Sequence, residues 1–302
     1  MLQIIKEGLR INKVPEYSGK GEKQLISSIK DCATLNNGVK MPWLGLGVWK
    51  VTKPEDIDFA IKTALKAGYT SIDTADVYGN EEGVGKAIKE SGVPREQLFI
   101  TTKLANSMQR KGYEATLKAF ETSRKKLGLE YIDLFLIHWP VKDKYIDSWK
   151  AMIKLYKEGL VRAIGVSNFL IHHLEDILNE TDVVPAVNQI ELHPWLTQNE
   201  LVDFCKKNKI QVEAYSPLMG GRLKEVTEID EIAEKYGKTP AQIVLRWHLQ
   251  REVIVIPKSV HEDRIIENSQ IFDFNLSDDD MEAISALNRD KRFLPDPNNV
   301  YF

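Results

Sequence analysis

Four titratable residues lie at the ends of apolar segments, where a purely structural strand has no need of them. Asp73 and Tyr78 fall within SIDTADVYGNEEGVGKAI (71–88), Lys103 ends FITTK, and His138 follows LFLI. Each has an ordinary explanation alone, such as a helix cap or ion-pair partner for Asp73 and a rim aromatic for Tyr78. Together they predict a reactive site, provided that the fold brings them to one place.

Proton delivery by a phenol is the chemistry that suits this set. An unperturbed tyrosine has a pKa of about 10, and a nearby ammonium such as that of Lys103 lowers this pKa by favouring the phenolate. A buried lysine in turn needs a carboxylate, which Asp73 supplies. A neutral His138 can donate a hydrogen bond to a substrate oxygen and orient it. The set predicts reduction of a carbonyl group, in which hydride reaches carbon while Tyr78 protonates oxygen.

Eight short apolar segments from residue 43 onward are predicted to be buried β-strands. They are WLGLGVW, YTSIDTA, LFITTKL, YIDLFLIHW, VRAIGVSN, PAVNQIEL, IQVEAYSP and VIVIPKS. Amphipathic stretches with helical spacing lie between and after them, at 54–67, 81–91, 113–127, 145–158, 171–179, 199–208, 228–236, 240–250, 261–271 and 278–287. Strands that alternate with helices predict right-handed βαβ crossovers and a parallel sheet.

Eight such units favour an α/β fold of the (β/α)8 TIM-barrel type over a doubly wound open sheet. An open sheet that binds a dinucleotide carries three glycines in the pattern G-x-G-x-x-G. Lys50 takes the place of the third glycine after GLG, and Ile88 takes it after GVG. Catalytic groups of a barrel lie at the C-terminal ends of its strands, where all four titratable residues are predicted to fall.

The segments outside the eight strand–helix units are predicted to form a hairpin, extra helices and an N-terminal extension. CATLNNGVKMP (32–42) predicts an N-terminal β-hairpin over the N-terminal mouth, because Asn and Gly at its centre tolerate the positive φ of a tight turn. Extra helices are expected at the C-terminal end. Residues 1–30 are an N-terminal extension of unknown order, and 31–302 are predicted to form a single domain.

Composition excludes several classes of function. The chain has 302 residues, 43% hydrophobic and 28% charged, and its net charge of -3 gives no basic field for nucleic acid or an anionic membrane. No apolar run approaches the ~20 residues of a membrane span. Residues 1–30 lack the uninterrupted apolar core and the small-residue cleavage site of a signal peptide, so none is expected. Cys32 and Cys205 suggest neither a disulfide framework nor a metal site. A cytoplasmic monomer is predicted.

From about residue 31 to 302 the chain resembles the aldo-keto reductases. The resemblance rests on GLGVWK, the segment 71–88, LIHWP, AIGVSNF, NQIELHP, AYSPL and IPKSVHEDRIIEN. It implies a catalytic tetrad of Asp73, Tyr78, Lys103 and His138. The chain is most similar to bacterial members that reduce glyoxal and methylglyoxal. The resemblance therefore implies NADPH-dependent reduction of small aldehydes or ketones to alcohols.

The resemblance also implies where the cofactor and the substrate bind. Residues expected to bind NADPH are Gly47, Val48, Ser167, Asn168, Gln189, Tyr215, Ser216, Leu218, Lys258, Ser259, Arg264, Glu267 and Asn268. Among these, Ser167, Asn168 and Gln189 would hold the nicotinamide carboxamide. Tyr215 would stack on the nicotinamide ring. Lys258, Ser259 and Arg264 would hold the 2′-phosphate at a helix start, and Glu267 and Asn268 would contact the adenine. Residues expected to contact the substrate are Trp49, His138 and Trp139.

Two other functions remain open on the sequence alone. Lys103 could form a Schiff base in an aldolase-like lyase, or the barrel could bind NADPH as a non-catalytic sensor. Short loops at 141–147 and at MGGRLKEVT predict a more open site than that of the larger animal members. Phe293, Tyr301 and Phe302 of the C-terminal tail are candidate wall residues.

Overall fold

The computed structural model describes residues 26–301. Ten strands occur in this range: β1 Cys32–Thr34, β2 Lys40–Pro42, β3 Gly45–Gly47, β4 Ser71–Asp73, β5 Phe99–Leu104, β6 Ile132–Ile137, β7 Val161–Ser167, β8 Val187–Glu191, β9 Gln211–Tyr215 and β10 Ile254–Val255. The helices are α1 Pro54–Lys66, α2 Glu81–Ser91, α3 Asn106–Gln109, α4 Tyr113–Leu127, α5 Tyr145–Lys157, α6 Ile171–Glu180, α7 Asn199–Lys207, α8 Glu228–Tyr236, α9 Pro240–Gln250, α10 Glu262–Ser269 and α11 Asp278–Ser285. All but the short α3 were predicted, to within two residues at each end.

Strands β3 to β10 form a barrel. Each pairs in parallel with the next one along the chain. Parallel bridges from Leu44 to Val255 and from Gly47 to Lys258 join the first strand to the last. The predicted (β/α)8 TIM barrel is therefore confirmed, and the C-terminal ends of all eight strands meet at one mouth.

A close backbone contact at this mouth requires a glycine. A Cβ atom at position 47 would lie 2.9 Å from the carbonyl oxygen of Ile256, closer than ordinary contacts allow. The N–H of Gly47 donates to the carbonyl oxygen of Pro257 at 3.2 Å. The absence of a side chain at Gly47 thus allows β3 to close against the segment after β10.

Two neighbouring barrel strands are buried from end to end. Every residue of β5 (FITTKL) and β6 (IDLFLI) is shielded from solvent, as expected for parallel strands with side chains packed inside the barrel and helices outside it. Phe120 of α4 packs edge-on against Phe135 of β6, with ring centroids 5.3 Å apart. Polar residues within these strands, such as Lys103, are therefore held in fixed positions by their neighbours.

The predicted hairpin forms from β1 and β2, which pair antiparallel. Gly38 in its turn has a φ of 85°. The amide of Asn36 donates to the carbonyl oxygen of Pro185, and that of Asn37 donates to the carbonyl oxygen of Arg162, both at 3.0 Å. These acceptors lie beside the N-terminal ends of β8 and β7. The hairpin therefore lies against the mouth opposite the titratable residues, as predicted.

The described segments that flank the barrel belong to its helical layer or are bound to it. The two predicted C-terminal helices are present as α10 and α11. Ile26 is buried, and its carbonyl oxygen accepts a hydrogen bond from Nη1 of Arg246 in α9 at 2.7 Å. Residues 1–25 of the predicted extension lie outside the described residues. Between residues 26 and 301, no helix is long and apolar enough to cross a membrane.

Candidate active site

The four titratable residues named from the sequence meet at the C-terminal mouth of the barrel. Asp73 ends β4, Lys103 lies near the end of β5, and His138 follows β6. Tyr78 ends a short 3-10 helix, Asp76–Tyr78. Nζ of Lys103 lies 2.5 Å from Oδ1 of Asp73 and 5.3 Å from the ring centroid of Tyr78. The rings of Tyr78 and His138 are edge-on, with centroids 5.7 Å apart.

The loop that carries Tyr78 is fixed by Asn80, a residue that the sequence analysis did not single out. Its Nδ2 donates to the carbonyl oxygens of Val48 and Val51, each at 3.0 Å. Its Oδ1 accepts from Oγ1 of Thr74 at 2.6 Å. Asn80 is buried. It therefore joins the loop after β4 to the loop after β3 and fixes the position of the phenol between them.

Lys103 is a buried cation held by its partners. Burial by itself lowers the pKa of this ammonium, but the charge of Asp73 and the nearby Tyr78 raise it, and the net pKa lies above the usual value. Nζ also donates to the carbonyl oxygen of Thr74 at 2.9 Å. Lys103 therefore stays protonated near neutral pH, without the lone pair that a Schiff-base nucleophile needs.

The phenol of Tyr78 also stays protonated near neutral pH. Burial raises its pKa, the ammonium of Lys103 lowers it, and the carboxylate of Asp73 raises it again. The net pKa lies above the usual value, so the predicted net lowering is wrong, although Lys103 acts in the predicted direction. Burial is the larger effect because it disfavours the phenolate. Tyr78 is therefore a neutral phenol near pH 7, and its proton is available for transfer to a substrate.

His138 is neutral. Burial, followed by the charge of Lys103, lowers its pKa to about 3. A neutral imidazole has one N–H to donate. This state suits the predicted role of His138, which is to orient a substrate oxygen by a hydrogen bond.

The residues expected at the nicotinamide lie beside this group. Asn168 follows β7 and has a left-handed conformation, with φ of 65°. Its Nδ2 donates to the carbonyl oxygen of His138 at 3.0 Å and to Oγ of Ser167 at 3.1 Å. Its Oδ1 accepts from the hydroxyl of Tyr215 at 2.6 Å. The structure thus brings Ser167, Asn168 and Tyr215 together next to His138.

Gln189 connects these residues to the tetrad through its amide. Nε2 donates to Oδ2 of Asp73 at 2.9 Å and to Oε2 of Glu213 at 2.7 Å. Both amide hydrogens are used in this way, which leaves Oε1 as the atom that can accept a bond from a carboxamide. Glu213 was not singled out from the sequence. A charged residue within the strand segment IQVEAYSP, two before Tyr215, was the available signal.

The expected phosphate-binding residues lie after β10. Lys258 and Arg264 are exposed, and between residues 26 and 301 neither forms an ion pair. Ser259 is buried, and its Oγ accepts from the N–H of His261 at 3.0 Å, at the start of α10. Two solvated cations and a helix N-terminus suit a phosphate dianion.

Two expected adenine-binding residues lie further along α10. Oε1 of Glu267 accepts from Oγ1 of Thr239 at 2.5 Å, and Asn268 is buried. The other expected cofactor contacts border the same mouth. Val48 donates its N–H to the carbonyl oxygen of Asp73 at 3.1 Å, while Ser216 and Leu218 follow β9.

Aromatic side chains surround this mouth. Trp49 is 40% exposed, whereas Trp139 is buried. Phe293 of the tail stacks on His193 with a centroid separation of 5.0 Å. Tyr301 is 86% exposed, which counts against it as a wall residue, and Phe302 lies outside the described residues.

The tail is joined to the barrel by Glu191 at the end of β8. Its Oε1 accepts the N–H of Phe293 at 2.7 Å, and its Oε2 accepts the N–H of Leu294 at 3.1 Å. The guanidinium of Arg222, in the loop after β9, lies 4.7 Å from the ring centroid of Phe293. The tail and the loop after β9 are therefore in contact.

Comparison with known proteins identifies the family. Residues 43–289 match the model of the aldo/keto reductase family. The chain belongs to this family. A glyoxal reductase of Bacillus subtilis (strain 168) is 57% identical over 276 residues, which cover 91% of this chain and 99% of that protein. The methylglyoxal reductase DkgA of Salmonella typhimurium is 53% identical over 268 residues, covering 87% of this chain and 96% of that protein.

A solved structure supports the same assignment. A mutant of Gox0644 in complex with NADPH has a TM-score of 0.85 and 47% sequence identity, covering 90% of this chain and 98% of that chain. The resemblance seen in the sequence is thus confirmed. This aldo/keto reductase is an oxidoreductase.

Proposed function

We propose that this aldo/keto reductase uses NADPH to reduce small aldehydes and ketones, such as glyoxal, methylglyoxal and other reactive carbonyl compounds, to alcohols. The observation that carries the proposal is the contact between the buried Lys103–Asp73 pair and the phenol of Tyr78, with His138 beside it. The glyoxal and methylglyoxal reductases among the relatives support the choice of substrate.

Each residue of the tetrad has one task in this proposal. Bound NADPH supplies the hydride that reaches the carbonyl carbon. His138 donates a hydrogen bond to the carbonyl oxygen and orients it. Tyr78 gives its phenolic proton to that oxygen, which completes the alcohol, and the tyrosinate then takes a proton from solvent. Lys103 stabilises the tyrosinate, and Asp73 holds Lys103 in place.

The residues around the mouth fit a nicotinamide dinucleotide. We assign the carboxamide to Ser167, Asn168 and Oε1 of Gln189, and the face of the ring to Tyr215. The hydroxyl of Tyr215 is held by Asn168, so the aromatic ring has a defined orientation. The N–H groups of Gly47 and Val48 already bond to neighbouring backbone. We therefore assign these two residues to van der Waals contact.

The preference for NADPH over NADH is assigned to the segment after β10. Lys258 and Arg264 are exposed cations without an ion-pair partner in residues 26–301, and Ser259 adds a hydroxyl near the start of α10. These groups match a 2′-phosphate, which NADH lacks. The relative solved with NADPH supports this choice. Glu267 and Asn268 are assigned to the adenine.

An aldolase-like lyase fits less well. Its nucleophile would be Lys103, yet this side chain is buried, paired with Asp73 and protonated. Incubation with an aldehyde and borohydride should therefore trap no adduct on Lys103. A non-catalytic NADPH sensor would have no use for the complete tetrad. A monomeric state and a cytoplasmic location stay predictions.

Oxidation of NADPH in the presence of carbonyl compounds tests the proposal. We would follow NADPH absorbance with a panel of 2-oxoaldehydes, simple aldehydes, ketones and sugars. The expected result is turnover of small aldehydes by the wild-type protein and almost none by Tyr78→Phe at equal concentration. No turnover of any carbonyl compound by the wild-type protein would contradict the proposed function.

A further inference from the structure

The interior of the barrel holds a second carboxyl group directly behind the tetrad. Glu213 of β9 is completely shielded from solvent. It lies two residues before Tyr215 and so on the same face of the strand. Its Oε2 accepts from Nε2 of Gln189 at 2.7 Å, and the same nitrogen donates to Asp73 at 2.9 Å. One amide nitrogen therefore joins Glu213 to the carboxylate of the tetrad.

The charges in this enclosed space do not balance if both carboxyl groups are ionised. The titratable groups that face Glu213 are Asp73 of β4, Lys103 of β5 and the phenol of Tyr78. Its paired neighbours on β8 and β10 are uncharged, a glutamine and an isoleucine. Lys103 is already 2.5 Å from Asp73. A single ammonium balances one carboxylate, so a proton on Glu213 makes the set neutral.

The free oxygen of Glu213 supports a protonated side chain. Oε1 is buried and has no hydrogen-bond partner in the part of the chain that the structure describes. A carboxylate oxygen left in this state is costly, because it has lost its water and gained no donor. Burial, followed by the charge of Asp73, raises the pKa of Glu213 to about 8, against the lowering influence of Gln189 and Lys103. A neutral carboxylic acid near pH 7 is consistent with both observations.

We propose that Glu213 is a positioning residue of the reduction, which in its protonated form fixes the amide of Gln189 and leaves Lys103 free to stabilise the tyrosinate of Tyr78. The proposal rests on the proposed function, because it concerns the proton step of carbonyl reduction. Glu213 is too deeply buried to touch a substrate. It acts through Gln189 and through the charge that it adds or withholds.

The negative charge of an ionised Glu213 should slow the reduction. When Glu213 loses its proton, a second negative charge competes for Lys103 and disfavours the tyrosinate. Reduction then slows, because Tyr78 gives up its proton less readily. The opposite reaction, oxidation of an alcohol with NADP⁺, passes through the same transition state, so at any one pH the charge on Glu213 slows it by the same factor. Glu213 is protonated below about pH 8 and ionised above it, so the loss of rate relative to an uncharged variant should centre near pH 8.

The experiment compares the wild-type protein with Glu213→Gln, an uncharged side chain of similar shape. We would measure kcat/KM at saturating NADPH from pH 6 to 9.5 and constant ionic strength, with the best aldehyde of the panel. A buried unit charge changes the acidity of a nearby group by about tenfold or more, and part of this change reaches the rate. We expect wild-type reduction to fall about three- to tenfold above pH 8, while that of the variant stays nearly constant.

Glu81→Gln is the matched control. Glu81 is also a buried glutamate with a pKa raised by burial, but it lies at the start of α2, where it accepts a hydrogen bond from Thr102 at 2.7 Å. It is not joined to Gln189. The control should keep the wild-type fall in rate. If kcat/KM of Glu213→Gln falls with rising pH in parallel with that of the wild-type protein, the proposal is overturned.

Binding of NADPH by the wild-type protein from pH 6 to 9.5 gives a second measurement that does not depend on the folding of any variant. Its Kd should change little over the pH range in which reduction falls, because Glu213 acts on the proton step. A role of Glu213 in cofactor binding alone would raise the Kd for NADPH and leave the rate at saturating NADPH unchanged. A flat wild-type rate profile, or a rate that falls only as the Kd for NADPH rises, would overturn the proposal while leaving the proposed function intact. Absence of any NADPH-dependent turnover would instead contradict the proposed function.

Discussion

The ammonium of Lys103 lies 2.5 Å from Oδ1 of Asp73, and both side chains are almost completely shielded from water. Two isolated charges at this depth would be strongly destabilising, but as a pair with further hydrogen bonds they are tolerated. The pair keeps a positive charge beside Tyr78 near neutral pH because, against the effect of burial, the charge of Asp73 helps to hold the pKa of Lys103 above its usual value. Removal of either partner should therefore affect both stability and chemistry.

We expect Lys103→Met to abolish most of the carbonyl reduction and to destabilise the fold. The tyrosinate loses its cation, and Asp73 remains as a buried charge without a partner, a change that typically costs about 3–5 kcal/mol. NADPH consumption and urea unfolding would measure the two effects. Lys103→Met combined with Asp73→Asn is the control, because it should restore stability but not activity. A fully active single variant would contradict the role given to Lys103.

Tyr78→Phe should keep cofactor binding and lose the reduction. General acid catalysis is typically worth ~10²–10⁴-fold, and the variant lacks only the phenolic oxygen and its proton. Binding of NADPH would be measured by fluorescence quenching, and turnover by absorbance. If the loss in turnover is less than about tenfold, Tyr78 is not the acid.

His138 should make the protein less stable in acid. Its pKa is about 3 in the folded protein, against an ordinary value of about 6.5. The unfolded chain therefore binds a proton that the folded protein rejects, and stability is lost progressively as the pH falls from 6.5 towards 3. At pH 5 the loss would be up to about 2 kcal/mol.

Urea unfolding at pH 7 and pH 5 would test this expectation. His138→Gln has no proton to gain, so its stability should fall less between the two pH values than that of the wild-type protein. An equal fall in both proteins would show that His138 is not held neutral by the fold.

Several features of the site could be predicted because each depends on a local pattern. Asp73, Lys103 and His138 each end an apolar run, and the eight runs alternate with helices. In a parallel barrel such positions share one mouth. The position of the tetrad therefore followed from the order of the elements, without knowledge of any particular contact.

Features that depend on distant contacts were missed. Glu213 bonds to Gln189, 24 residues away, and Asn80 bonds to Val48, 32 residues away. The alternation of IQVEAYSP indicates a strand but not which side chain a buried glutamate meets. The net pKa of Tyr78 was also predicted with the wrong sign, because the sequence shows the nearby lysine but not the extent of burial.

Glu191→Gln should loosen the C-terminal tail. Its carboxylate accepts the N–H groups of both Phe293 and Leu294, and an amide at this position can accept only through its single oxygen. Limited proteolysis should therefore cut the tail faster in the variant, while the barrel stays folded. Asp296→Asn, which changes an exposed residue of the same tail, is the control, and its tail should be cut at the wild-type rate. Equal rates in all three proteins would contradict the role given to Glu191.

Arg264→Ala should change the choice of dinucleotide. NADPH and NADH differ only in the 2′-phosphate, so a preference must come from groups that contact this dianion. Arg264 is exposed and forms no ion pair within residues 26–301. A charge-assisted hydrogen bond contributes about 1.5–3 kcal/mol, and about 1.4 kcal/mol is a factor of ten in affinity. The variant should bind NADPH roughly ten- to a hundredfold more weakly, with NADH almost unchanged.

Fluorescence quenching at fixed ionic strength would measure both affinities. Lys89→Ala is the matched control, because it removes one exposed positive charge at the end of α2, on a helix to which no cofactor contact is assigned. The control should keep the wild-type ratio of NADPH to NADH affinity, since a change in net charge alone affects the two cofactors far less than a lost contact. In Arg264→Ala the ratio should fall towards one. Equal weakening of both cofactors would mean that Arg264 contacts the pyrophosphate or supports the fold, and the 2′-phosphate would then need another partner.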